Sequence, residues 1–180
     1  MRKSRSHGVT LVELLVVVSI LGVVALVAIP DFSSSNAQTL DLAAEEFANA
    51  MRFARSEAIR TSEPHGFRQP FDTKRIRVFR PDTGTAPWTL NYDVYHPVSK
   101  QLYDIKLDDH PFASADSIDR TLNYQATCNR PGNIYFDRNG IPRCTNPETV
   151  FLEQFDVTLT LGTHTRTVTL HRITGRVTVQ

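Results

Sequence analysis

Cysteine and glycine are scarce in this sequence. It contains only two cysteines and eight glycines among 180 residues. It has no Cys-x-x-Cys pair, no glycine-rich phosphate loop and no Gly-x-Ser-x-Gly motif, and its histidines lack the spacing of metal ligands. The sequence therefore predicts no enzyme, no cofactor and no metal site, although it leaves open a catalytic site assembled from distant residues.

An excess of charge of one sign is also absent. The net charge is +1, with 20 basic residues against 19 acidic ones. Removing Arg2, Lys3 and Arg5 from those 20 leaves 17 basic residues against the 19 acidic ones. Global charge therefore gives no argument for nucleic-acid binding, although a local basic patch remains open.

One long apolar run lies near the N-terminus. Of the 21 residues from Val9 to Ile29, 17 are apolar. A helix of this length spans roughly 30 Å, about the thickness of the hydrocarbon core of a bilayer. Glu13 lies within the run, where a carboxylate without a partner costs about 2.5 kcal/mol or more. The basic residues before the run fit a cytoplasmic N-terminus and an exported remainder.

Three interpretations of this run compete. A secretory signal peptide shares the basic start and the apolar stretch, but Leu26-Val27-Ala28 is a poor small-x-small cleavage site. A simple anchor helix would place Glu13 near the lipid headgroups without a specific role. In the third interpretation the chain is cut before the apolar run, and Glu13 pairs with the charged terminal amine that the cut creates on a neighbouring subunit. Two charges that are each costly in hydrocarbon become tolerable when they pair across subunits.

The third interpretation is supported by a family resemblance. The basic leader, the stretch Gly8-Val9-Thr10-Leu11-Val12-Glu13 and the later Pro30 resemble the prepilin signal of bacterial type IV pilins and type II secretion pseudopilins. The resemblance implies that prepilin peptidase cuts between Gly8 and Val9 and that Val9 becomes the N-methylated first residue. It also implies that Glu13 faces the terminal amine of a neighbouring subunit and that Pro30 marks a bend in a long helix. Val9 departs from the family, which usually has Phe at this position.

A second helix is predicted after the apolar run. Apolar residues recur at spacings of three and four from Leu40 to Ala58, which predicts a helix that ends near Thr61, before Pro64. We expect its apolar stripe to pack on a sheet of the same domain. The end of this helix, with Ala54-Arg55-Ser56-Glu57-Ala58-Ile59, resembles the long helix of the GspH/FimT branch of minor pilins.

The remainder of the chain predicts an antiparallel sheet. Alternating apolar and polar residues predict strands at 88–94 and 103–107, and shorter patterns predict strands near 76–79, 134–136, 155–161, 168–170 and 176–179. The stretch from Asp108 to Asn123 shows no period and is expected to be loop. The predicted fold class is α+β: a long N-terminal helix, transmembrane and then amphipathic, followed by an antiparallel β-sheet or β-sandwich head.

These predictions divide the chain into four parts. They are a leader peptide at 1–8, a transmembrane and assembly helix at 9–29, an amphipathic continuation of the helix at 30–62, and a periplasmic β-rich head at 63–180. Both cysteines, Cys128 and Cys144, lie in the head. An even count in an oxidising compartment predicts a disulfide, and closing a loop of about 17 residues stabilises the fold by roughly 3 kcal/mol in the chain-entropy model.

The family resemblance implies a structural function. The chain would be a minor pilin or pseudopilin that initiates or caps the fibre of a type IV pilus or of a type II secretion system. Its expected partners are other pilin subunits, prepilin peptidase and the bacterial inner membrane, which it would cross once with the head in the periplasm.

DNA binding at a pilus tip is the alternative function. Some FimT-type proteins take part in DNA uptake, and there the expected pattern is a C-terminal Gly-Arg-x-Arg; this chain has Gly175-Arg176-Val177-Thr178 and lacks the second arginine. A basic strip with an aromatic neighbour suits phosphate and base contacts. The candidate DNA contacts are Arg75, Arg77, Arg166, Arg172 and Arg176. The competing interpretation is that these arginines only solvate the outer face of the sheet.

Overall fold

The structure is a computed structural model that describes residues 10–28, 36–68, 75–85, 88–107, 118–124, 128, 133–145, 150–153 and 155–180. The chain divides into two compact units, Met1–Ser34 and Ser35–Gln180. The first contains one described helix; the second, which is called the head from here on, contains a helix and two antiparallel sheets. These elements confirm the predicted α+β class.

Helix α1 of the first unit spans Leu11–Ala28. Its first turn is capped by Thr10, whose hydroxyl accepts the backbone N–H of Glu13 at 3.2 Å. The hydroxyl of Ser19 donates to the carbonyl of Leu15 at 2.8 Å, so this polar group is satisfied within the helix. No helix within the described residues is both long enough and apolar enough to cross a membrane.

Helix α2 of the second unit spans Asn36–Thr61 and ends where the sequence predicts. One stripe of the helix is buried, and every residue of the predicted apolar stripe belongs to it. Six of the buried residues are alanines, which allow the helix to lie close to the strands it covers. The buried residues are Thr39, Leu40, Ala43, Ala44, Phe47, Ala48, Ala50, Met51, Ala54 and Ala58.

Ten strands follow α2 within the described residues. In chain order they are β1 (His65–Arg68), β2 (Arg75–Asp82), β3 (Thr89–Asn91), β4 (Asp104–Lys106), β5 (Asp119–Tyr124), β6 (Asn133–Phe136), β7 (Pro142–Cys144), β8 (Phe155–Leu161), β9 (His164–Leu170) and β10 (Val177–Val179).

These strands form two sheets in which the paired strands are antiparallel. The first sheet has the order β3-β2-β1-β6-β7, with β4 also paired to β2, and the second has the order β10-β9-β8-β5. Helix α2 contacts strands of both sheets. The rings of Phe67 on β1 and Phe155 on β8 meet edge to face at 5.4 Å, so the two sheets share one core.

Two predicted segments differ from the structure. The stretch 108–123 is not wholly loop, because β5 begins at Asp119 and pairs along its length with β8. The strand predicted at 88–94 keeps its alternating burial, but only Thr89–Asn91 pair with β2. Edge segments of this kind keep one buried face without a complete hydrogen-bond ladder.

Candidate functional site

The start of α1 carries the residue predicted to act in assembly. Glu13 is exposed and lies in the first turn, where a carboxylate interacts favourably with the positive end of the helix dipole. Thr10 and Glu13 have the spacing of a capping box. Of the two hydrogen bonds of that motif, the one from the N–H of Glu13 to the hydroxyl of Thr10 is present. Within the described part of the chain, no cation forms an ion pair with Glu13. The predicted sites Gly8, Val9 and Pro30 lie outside the described residues.

Exposed apolar side chains lie on all sides of the described part of α1, from Leu11 to Leu21. Nine of its large apolar side chains are between 48% and 81% exposed, and they occupy nearly consecutive positions: Leu11, Val12, Leu14, Leu15, Val16, Val17, Val18, Ile20 and Leu21. A helix that is apolar all round normally lies in a protein core or in a membrane. The single chain therefore leaves the described apolar side chains of α1 exposed.

Arg75 and Arg77 lie on β2 and share one carboxylate. Arg75 binds Asp104 of β4 through two hydrogen bonds of 2.9 and 2.5 Å. The Nε atom of Arg77 lies 3.3 Å from Oδ1 of the same Asp104, and its guanidinium lies over the ring of Tyr92, 5.3 Å from the ring centre. Two of the five candidate arginines are thus partly neutralised by one acid, and their positions are fixed by the sheet.

Arg166, on β9, is also paired. Its Nε atom donates to the carboxylate of Asp41 on α2, and its Nη1 donates to the carbonyl of Thr165 at 2.9 Å. This ion pair connects the second sheet to the exposed side of α2. Arg166 therefore contributes to packing within the head.

Arg172 and Arg176 lie on the turn between β9 and β10. Both are exposed, and they line a shallow hollow of about 390 Å³ together with His171, Ile173 and Thr174. Neither arginine has an ion-pair partner among the described residues. Of the five predicted arginines, these two are the ones that the described structure leaves available to an external anion.

A contact between two turns holds this part of the head in place. Gly175 has φ of +62°, and a Cβ atom there would lie 2.5 Å from the carbonyl oxygen of Gly140, in the turn between β6 and β7. The Nε atom of Arg55 on α2 donates to the same carbonyl at 3.3 Å. Arg55 and the two glycines thus join α2 to both sheets, a role that sequence analysis did not assign to them.

Cys128 and Cys144 form the predicted disulfide, with their Cα atoms 5.6 Å apart. Both residues are buried. Cys144 belongs to β7, at an edge of the first sheet, so the bond ties the chain near Cys128 to that edge. The prediction of a disulfide is confirmed.

Sequence analysis did not identify a partly buried cluster around Tyr103. The hydroxyl of Tyr103 donates to Glu46 on α2 at 3.3 Å, while its ring stacks on Phe53 at 5.2 Å and packs against His96 at 4.9 Å. Burial raises the pKa of Glu46, and the hydrogen bond from Tyr103 opposes that shift. Burial also raises the pKa of Tyr103, and the nearby charge of Glu46 adds to it. These groups anchor the segment before β4 to α2.

Two family models match the sequence. The prokaryotic N-terminal methylation motif matches residues 3–29. The family described as type II transport protein GspH matches residues 43–174, which is more than half of the chain. No curated protein matches the sequence significantly.

Two solved structures of a minor pseudopilin show the same fold. Two structures of the minor pseudopilin EpsH from the type 2 secretion system of Vibrio cholerae align with TM-scores of 0.53. Their sequence identities are 13% and 12%, and the alignments cover 78% and 81% of this chain and 95% of EpsH. The type IV minor pilin FimU of Pseudomonas aeruginosa aligns at 17% identity with a TM-score of 0.49, over 78% of this chain and 87% of FimU.

Proposed function

The chain belongs to the GspH family of type II transport proteins, and on that premise we propose that it is a minor pilin or pseudopilin that initiates or caps a type IV pilus or a type II secretion pseudopilus. The methylation motif at residues 3–29 supports cleavage after Gly8, methylation of Val9 and a membrane anchor formed by residues 9–29. The matched families are those of pilin-like structural subunits, which supports assembly as the function.

The observation that carries this proposal is the surface of α1. Its described apolar side chains are exposed on all sides, and its one carboxylate, Glu13, lies in the first turn. Packing such helices side by side buries the apolar surface, while Glu13 offers a partner for the amine that cleavage creates at Val9. The head then lies outside the membrane and contacts neighbouring heads.

Substitution of Glu13 tests the proposal in the native host. Glu13→Ala and Glu13→Gln chains should be cleaved and kept in the membrane fraction, yet be lost from sheared fibres. Thr10→Val is the matched control, because it removes the helix cap and leaves the charge. Incorporation of Glu13→Gln at the wild-type level would contradict the role of the charge.

Separate experiments test whether the chain initiates fibres and whether its leader is cleaved. If the chain starts fibres, cells that lack it should form fewer fibres of normal length, and the Glu13→Ala chain should not restore their number. Mass spectrometry of the chain from native membranes should show Val9 as the first residue, with one methyl group on its amine. A retained leader would contradict the proposed processing.

DNA binding is a second candidate, supported by the two exposed arginines Arg172 and Arg176. The ion pairs of Arg75, Arg77 and Arg166 reduce its support, because these cations already have acidic partners. DNA-binding proteins that contact 6–10 phosphates lose about 10³-fold or more in affinity between 50 and 200 mM salt. A mobility assay with the full chain in detergent, at several salt concentrations, tests this candidate, and Arg176→Gln should weaken any specific complex.

A further inference from the structure

Two turns meet at one end of the head and together display three exposed arginines. The turn between β9 and β10 carries Arg172 and Arg176, and the turn between β6 and β7 carries Arg138. Gly175 and Gly140 bring the two turns into contact, because a Cβ atom on Gly175 would lie 2.5 Å from the carbonyl oxygen of Gly140. We refer to Arg138, Arg172, Ile173 and Arg176 as the turn patch.

The turn patch has a net positive charge. None of its arginines has an ion-pair partner within the described part of the chain. The acid on these turns, Asp137, is already engaged: it binds Arg143 at 3.0 Å and accepts the backbone N–H groups of Asn139 and Ile141. The charges of the patch are therefore available to an acidic partner.

The patch also exposes a large apolar side chain. Ile173 is 73% exposed and lies between the two arginines of its turn. The turn is held by hydrogen bonds from the N–H of Gly175 to the carbonyl of His171 and from the N–H of His171 to the carbonyl of Arg176, both 2.9 Å. The backbone is thus ordered before any partner arrives, which reduces the entropy cost of binding.

We propose that the turn patch docks onto a neighbouring subunit, on an apolar surface rimmed by Asp or Glu side chains; this inference rests on the proposed function in a fibre. Arginine around a buried apolar residue is typical of protein interfaces. A nucleic-acid backbone offers no apolar surface for Ile173, and three arginines are few beside the 6–10 phosphate contacts of many DNA-binding proteins. The observations therefore favour an acidic protein partner over DNA.

Photo-crosslinking of the full chain in its native host tests the proposal. Ile173 is replaced by benzoylphenylalanine, and fibres and membranes are irradiated before the adduct is sequenced. We expect an adduct with another subunit that carries a prepilin motif, on a peptide that contains Asp or Glu. Thr163, exposed on the turn between β8 and β9, is the control position and should give little of this adduct.

Charge variants then identify the contribution of the arginines. The pair Arg172→Glu with Arg176→Glu should lower the adduct yield about tenfold or more, whereas the pair Arg172→Lys with Arg176→Lys should keep most of it. Lys100→Glu, which reverses one charge on another exposed loop, should leave the yield unchanged. Intact disulfide and protease resistance of each variant show that the head is folded.

Each other outcome overturns the inference. A nuclease-sensitive adduct would assign the patch to DNA. Fibres that contain the chain but give no adduct, or an adduct on a peptide without acidic residues, would refute the inference and leave the proposed function standing. Absence of the wild-type chain from fibres, scored in the same cells, would refute both.

Discussion

Gly175 shows how one residue connects separate parts of this head. With φ of +62°, it adopts a conformation that costs other residues about 1–2 kcal/mol, and it also lies against Gly140. We expect Gly175→Ala to lower the free energy of unfolding of the full chain by about 2 kcal/mol or more, measured by denaturation in detergent.

Gly162→Ala is the matched control for that variant. Gly162 has the same φ of +62°, but a Cβ there would meet its nearest atom, Nδ2 of Asn36, at an ordinary 3.5 Å. The difference between the two variants isolates the contact between the turns from the backbone cost. Equal effects would show that the contact contributes nothing.

The raised pKa of Glu46 predicts how the stability of the head depends on pH. Burial raises its pKa above the ordinary value of 4.5, so the folded state binds this proton at a pH where the unfolded chain has lost it. The bound proton on Glu46 therefore stabilises the fold fully at a pH below the ordinary carboxyl range. This stabilisation is lost as the pH rises through the raised pKa of Glu46.

Glu46→Gln should therefore remove a fall in stability as the pH rises above the ordinary carboxyl value of 4.5. Denaturation of the full chain at a series of pH values checks this. Glu45→Gln, on the exposed side of α2, is the control and should keep the wild-type slope. An unchanged slope in Glu46→Gln would contradict the prediction.

Among the elements, α2 could be predicted from sequence and β5 could not. Every turn of α2 repeats the same apolar stripe, so its period survives any single polar residue. In β5, Arg120 lies opposite the buried Leu159 and thus takes a position that alternation reserves for an apolar residue. Burial lowers the pKa of Arg120, in agreement with this inward position. Strand β7 begins with Pro142, and because proline is disfavoured within strands the sequence pattern did not predict this strand.

Sequence likewise could not predict which arginines of the candidate site are paired. Sequence identified exposed arginines on the turn after β9, but the pairing of Arg75 with Asp104 joins residues 29 positions apart, and that of Arg166 with Asp41 joins residues 125 apart. Such contacts depend on strand order and helix placement, which residue spacing does not contain. Arg138 was missed for the same reason, since only the contact between Gly140 and Gly175 connects its turn to that of Arg176.

The disulfide gives a prediction for the edge of the first sheet. It joins residues 16 positions apart and connects Cys128 to β7, so its loss removes a covalent constraint on that edge. We expect reduction, or replacement of both cysteines by serine, to lower the free energy of unfolding by about 3 kcal/mol. Denaturation with and without reductant measures this, and the serine variant should not respond to reductant. A loss below about 1 kcal/mol would contradict the predicted constraint.

For the whole molecule, the two compact units predict independent folding of the head. The buried core cluster lies within α2 and the residues after it. Deletion of residues 1–34 should therefore change the free energy of unfolding by less than about 1 kcal/mol, measured by thermal or chemical denaturation.

A longer deletion provides the control. Removing residues 1–44 also removes Leu40, Ala43 and Ala44, which are fully buried, and should destabilise the head by about 2 kcal/mol or more. If the shorter deletion already unfolds the head, the two units are not independent.

The buried alanines of α2 have a mechanical consequence. Alanine has no side-chain torsion that can rotate, and six of these residues lie between the helix and the two sheets. A force applied along the axis of α2 cannot be absorbed by rotamer changes at these points. We therefore expect tension on this helix to reach both sheets, because α2 contacts strands of each.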